Sequence, residues 1–314
     1  VSTRLPTGLP RARTLTDAMV APLAPPPDPG SLAMLRTEVA GALSRIARGL
    51  PPGARVVLDS HQVNAALAAP EHCRPGRMFV PTASNCRRAV GLAAVQRCLR
   101  RRPPLPCLAV AAVLADGEAA ANAGDPRAPW WAPWYARLAA GGRAAVAAEA
   151  ITWATHLHGA FEWERFATPP EVGPRPRRWV CPTSPRFVVR GTADVRVAAD
   201  GQEVVLVVGT ADPGPHWRDL LALRAVAGLL ARGPRGVPAR VVGWWPASGQ
   251  YRVLDVDLAV VRHGASSLAQ AAAVWVEASA GAAGRAQDGG PARAAASTQF
   301  GTTMGSPGRR ATGW

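Results

Sequence analysis

The chain has 314 residues, 48% of them hydrophobic, and carries a formal net charge of +15 from 36 basic and 21 acidic side chains. That length allows one large domain or two modest ones with a sizeable core. Every basic residue is an arginine, which excludes Schiff-base chemistry, lysine general bases and lysine-anchored phosphate loops together.

Residues 1–30 are rich in Pro, Thr and Arg and end in APPPDPG, a composition that reads as a disordered arm. Leu35, Val39, Leu43 and Ile46 recur at helical spacing and predict a helix over about 32–48, with Ser31 as its cap. RVVLD at 55–59 reads as a short strand, and Thr82 or Ser84 opens a helix that runs to about Arg101. Residues 116–128 read as a polar loop before the aromatic cluster Trp130, Trp131, Trp134 and Tyr135. An alanine-rich helix follows, to about His158. The period then changes: RRWVC (177–181), RFVVRG (186–191) and TADVRVA (192–198) have strand content, and Asp200-Gly201 is a type I′ turn signal. EVVLVV (203–208) is apolar on both faces, the mark of a strand covered on both sides. A helix over about 216–232, the strand ARVVGWW, the strand YRVLDVD and a helix over about 258–279 complete the ordered part. These elements divide the chain into a mainly helical region at 31–135, an α/β core at 136–280 and a disordered Gly/Ala/Arg tail at 281–314.

Five cysteines without a C-x-x-C pair argue against a zinc ribbon or a disulfide scaffold and for free thiols in a reducing cytoplasm. No run of about 18 apolar residues predicts a membrane span, and no charged leader with an apolar core predicts a signal peptide. A soluble cytoplasmic protein is the expectation. The arginine excess fits nucleic-acid binding by phosphate neutralisation, and it fits equally a GC-rich coding bias toward Arg, Ala, Gly and Pro.

The order helix, three strands, helix, strand over 142–256 resembles the RecB-type branch of the PD-(D/E)XK nuclease superfamily. Gly191-Thr192-Ala193-Asp194 fits its G-x-x-D motif, and Glu149 lies where a helical acid belongs. The resemblance implies a mixed central sheet flanked by helices, a restriction-endonuclease-like αβββαβ core. In that family a D/E-x-K strand completes a site for Mg²⁺ or Mn²⁺. Here V-V-G-T (207–210) stands in its place, with Val207 for the acid and Gly209 for the lysine. Leu220 and Arg224 take the positions of Gln and Tyr in the Q-x-x-x-Y helix. A hard divalent cation needs two or three convergent carboxylates, and hydrolysis needs a group to orient water. The departures therefore favour a nucleic-acid-associated protein on a catalytically silent nuclease scaffold, with no cofactor.

Two other readings stay open. One is a divergent metal-dependent nuclease using Glu149, Asp194 and Asp212, with Glu149 and Asp194 as the metal ligands. The other is a protein-interaction scaffold whose basic charge is only compositional. Against its metal role, Asp194 reads as a strand-edge acid paired with Arg190 or Arg196, and Glu149 as a helix-surface residue. Arg87, Arg88, Arg97, Arg100, Arg101 and Arg102 on one helix are the phosphate-contact candidates, or a solvated charged face. His156 and His158 point to opposite sides of a helix and cannot share an ion. Trp244-Trp245 at a strand end offers base stacking, although alternation sends one of the two into the core.

Overall fold

The computed structural model describes residues 12–74, 82–100, 105–209 and 212–288. In chain order these form α1 (Ala12–Val20), α2 (Pro29–Ala47), β1 (Val56–Leu58), α3 (Ser60–Ala68), α4 (Ala83–Arg100), α5 (Pro106–Asn122), α6 (Ala132–Ala136) and α7 (Ala140–Gly159). The second half forms β2 (Glu171–Val172), β3 (Arg177–Cys181), β4 (Ser184–Gly191), β5 (Val195–Ala199), β6 (Gln202–Val208), α8 (Trp217–Arg232), β7 (Arg240–Trp245), β8 (Gln250–Asp255) and α9 (Leu258–Asp288).

The strands make two mixed sheets. One has five strands in the order β2-β5-β6-β7-β8, and the other has three in the order β1-β4-β3. β6 and β7 run parallel, joined by the α8 crossover, and β1 runs parallel to β4; the remaining pairs are antiparallel. The chain passes from the small sheet to the large one through residues 192–194, between β4 and β5. β5 and β6 are joined by Asp200 and Gly201, both at positive φ (50° and 73°), with Ala199 opposite Gln202. Asp tolerates this conformation and Gly adopts it freely, as the sequence signal requires.

Pleating sorts the large sheet's apolar side chains between two cores. Val204, Leu206, Val208, Val242 and Trp244 face a core made with α1, α4, α5, α6 and α7. Val205, Val241 and Leu254 face the other, made with α2, α8, α9 and the small sheet. Helices therefore cover both faces of β6 and β7, which explains why those strands carry no internal polar alternation.

Four expectations change. Residues 12–20 of the supposed arm form α1, with Leu15 and Met19 at 0% exposure. Their i, i+4 spacing was outweighed by the Pro and Arg around them. The arm's structure is tertiary: the Thr16 hydroxyl accepts from the Glu162 amide at 2.9 Å, and the buried Arg240 guanidinium donates to the carbonyls of Ala18, Ala21 and Pro22. Residues 116–122 belong to α5 and not to a loop, and Gly117 is there because the Trp131 ring lies where its Cβ would be. α9 extends through 281–288, where alanines keep the helical propensity high; the rest of the proposed tail, like residues 1–11 of the arm, lies outside the described residues. Finally, the division at 135 separates no structural units, because β1 pairs with β4 and α4 packs against α7.

Candidate functional site

The carboxyl ends of parallel strands are where open α/β sheets leave a crevice. Here Val207, Val208 and Gly209 at the end of β6, and Trp245 at the end of β7, floor a cleft of about 1310 Å³. The start of α8, residues 59–64, residues 171–176 and one face of α4 wall it. α4 contributes Asn85, Arg88, Leu92, Gln96 and Arg100, spaced three or four apart as one helix face demands. Its opposite face, with Cys86, Val90, Ala94 and Cys98, is buried, and the Trp153 ring of α7 rests on Gly91.

Asp194 sits at the junction of the two sheets, 3% exposed. Arg88 grips it with both prongs, Nε to Oδ1 at 3.0 Å and a terminal nitrogen to Oδ2 at 2.5 Å. The Val208 amide donates to Oδ2 at 2.7 Å. The sequence reading paired Asp194 with Arg190 or Arg196; instead Arg196 bonds Glu171 and Glu203. Beside this pair lies Arg224, donating to the carbonyls of Thr192 (3.1 Å) and Leu220. Burial pulls its guanidinium down to about 10; Asp194 opposes that fall and Arg88 adds to it.

This donor set does not fit the divalent cation that the nuclease resemblance implies. Both oxygens of Asp194 already accept hydrogen bonds, one of its neighbours is a second arginine, and Val207 and Gly209 bring no ligand. Gly209 also has a steric cause: a Cβ there would overlap the Trp245 indole, so a lysine cannot be accommodated without moving the ring. Among the described residues, no group of three or more His, Cys, Asp or Glu side chains is arranged to hold a metal.

The structure separates the three candidate acids. Asp194 and Asp212 line the cleft, whereas Glu149 does not and instead pairs with Arg87 at 2.9 Å. The candidate arginines divide as well. Arg88, Arg97 and Arg100 line the cleft, with Arg97 held by Asp116 at 2.6 Å, and Arg87 faces elsewhere. Arg101 and Arg102 lie outside the described residues. Arg100 is exposed and, among the described residues, enters no ion pair. The exposed Arg175, on the wall formed by residues 171–176, likewise enters no ion pair among the described residues.

Sequence reasoning missed Arg175, read Trp217 as a packing residue and named Arg224 only as a departure from the resemblance. In the structure Arg224 is buried and donates to the Thr192 carbonyl. Arg175 gave no signal within its proline-rich loop, GPRPR. Both members of Trp244-Trp245 are buried, at 1% and 8%, yet only Trp245 reaches the cleft. His156 is exposed, while the His158 ring lies 6.3 Å from that of Trp163.

No family model, curated protein or solved structure matches this chain.

Proposed function

We propose that the protein binds nucleic acid in this cleft without hydrolysing it, on a scaffold that retains a nuclease-like acid and has replaced its cation with arginine. The observation that carries this reading is the Arg88–Asp194 pair. The guanidinium fork takes the position and the charge that a metal would bring to that carboxylate, and it neutralises the one deeply buried acid of the cleft. Five arginines against four acids line the cleft, and Arg100 and Arg175, in no ion pair among the described residues, are the cations available to phosphates.

The test is fluorescence anisotropy with labelled DNA and RNA oligonucleotides from 50 to 300 mM KCl, beside a cleavage assay in Mg²⁺ and in Mn²⁺. The expected result is salt-dependent binding, weakened in the Arg100→Ala/Arg175→Ala double variant, with no cleavage in either metal. Cleavage abolished by Asp194→Asn would establish the divergent-nuclease reading in its place. Binding that ignores salt, or no binding, would leave the basic charge compositional and favour the protein-interaction scaffold.

A further inference from the structure

We infer that the cleft takes a single strand, with phosphates on the α4 wall and a base stacked on Trp217. This rests on the proposed nucleic-acid reading and narrows it to one class of ligand.

Three features of the cleft point to it. The first is curvature. Proteins that read a duplex project side chains from a convex helix or ribbon into a groove. Here Arg97 and Arg100 line a concavity, so the ligand must enter the protein. The second is size. At about 1310 Å³ the space exceeds the roughly 300–1,000 Å³ of small-molecule pockets, and suits a run of nucleotides better than a lone one.

The third is the aromatic surface. Non-specific single-strand sites combine a basic track with rings on which bases stack. Trp217, half-buried on the start of α8, lines the cleft on a different element from Arg97 and Arg100, and Trp245 forms part of the floor. Gly209 and Gly243 both lack side chains where the Trp245 ring lies, so the floor stays flat. Trp217 packs against the core, and the turn that carries it is fixed. Asp219, two residues along α8, accepts from the Ser267 hydroxyl at 2.5 Å and faces the His263 Nε2 at 2.9 Å, both on α9. It also faces the His216 Nδ1 at 3.4 Å. The first turn of α8 is thereby pinned to α9, so the ring on it loses less freedom on stacking than one on a mobile loop.

The experiment compares four ligands at one salt concentration: a 20-mer of thymidines, a 20-mer of uridines, a DNA duplex of the same length and inorganic polyphosphate, which has charge without bases. The proteins are the full chain, Trp217→Leu, Trp217→Phe and Arg100→Ala/Arg175→Ala. The full chain is expected to hold the single strands at least 10-fold tighter than the duplex. Trp217→Leu should weaken single-strand binding about 5–150-fold, the range for one stacked base, and leave polyphosphate binding unchanged. Trp217→Phe should keep most of the affinity, and single strands should quench less tryptophan emission in that variant than in the full chain.

Duplex bound as tightly as single strand would overturn the inference. So would an equal loss of polyphosphate binding in Trp217→Leu, which would make Trp217 a structural residue only. Should Trp217→Leu fail to fold, an undiminished quench in Trp217→Phe would overturn it. Loss of single-strand preference with the arginine dependence intact refutes the stacking inference alone, whereas an arginine double variant that binds everything normally refutes the cleft reading beneath it.

Discussion

Arg88 and Asp194 are 106 residues apart in the chain, and their pairing is the contact on which the cleft depends. Arg88→Ala would leave a buried carboxylate with the Val208 amide as its remaining partner. A fully buried pair broken this way costs about 3–5 kcal/mol; with Arg88 still about a third exposed, the loss should be nearer 2–4 kcal/mol by urea denaturation. Adding Asp194→Asn should recover part of it, since the amide oxygen still accepts from Val208 and no buried carboxylate is left; the recovery is partial because the buried Arg224 loses Asp194's charge. A second residue gives a pH signature. Burial holds the His158 imidazole below its ordinary 6.5, so the unfolded chain takes up this proton before the folded one does. Stability therefore falls as pH drops from about 6.5 to the lowered folded value, and is unaffected by this group above that window. His158→Gln should flatten the melting-temperature profile below about pH 6.5. At this scale, the sequence shows that Val207 and Gly209 stand where the nuclease resemblance expects an acid and a lysine, because absence is visible in a string. It does not show that Trp245 occupies the space over Gly209 or that Arg88 pairs with Asp194, because both partners come from distant segments.

Elements with a strong local period were legible. The Asp200-Gly201 turn, the doubly apolar β6, and the helices α2, α4 and α8 lie within a few residues of where spacing and caps place them. The elements that were missed have structural causes that propensity does not carry. The end of α5, from residue 116, reads as a loop because D-G-E interrupts it, although Gly117 only makes room for a ring. α1 reads as an arm because its anchors, Thr16 to Glu162 and Arg240 to the carbonyls at its end, are tertiary. Leu15→Ala should therefore cost about 2–5 kcal/mol, as for a filled core position, where a disordered arm would lose nothing. The readout is the urea midpoint of the variant beside an Arg-to-Ala control at an exposed site.

Across the whole molecule the two halves of the sequence are interleaved. α2 and α3 pack on α9, α4 and α5 on α7, and β1 completes the small sheet beside β4. The coarse class, mixed sheets flanked by helices, was legible from the order of elements. The interleaving was not, because parallel pairing of a three-residue strand with one more than 120 positions away leaves no periodic trace. Unfolding should accordingly be one transition, coincident by tryptophan fluorescence and far-ultraviolet circular dichroism. A fragment covering 136–288 should lack that transition, having lost the partners of α7, β4 and α9. Two separate transitions, or a cooperatively folding fragment, would instead mean that the halves are autonomous.

The crossing between the sheets at 192–194 has a dynamic consequence. Thr192 and Asp194 are clamped there by Arg224 and Arg88, and the same carboxylate holds the Val208 amide. The joint of the scaffold and the floor of the cleft are one set of hydrogen bonds. A phosphate competing for Arg88 would loosen that joint, so the Val208 amide should exchange its hydrogen faster with ligand bound. A ligand that stays on Arg100 and Arg175 would leave the exchange rate unchanged.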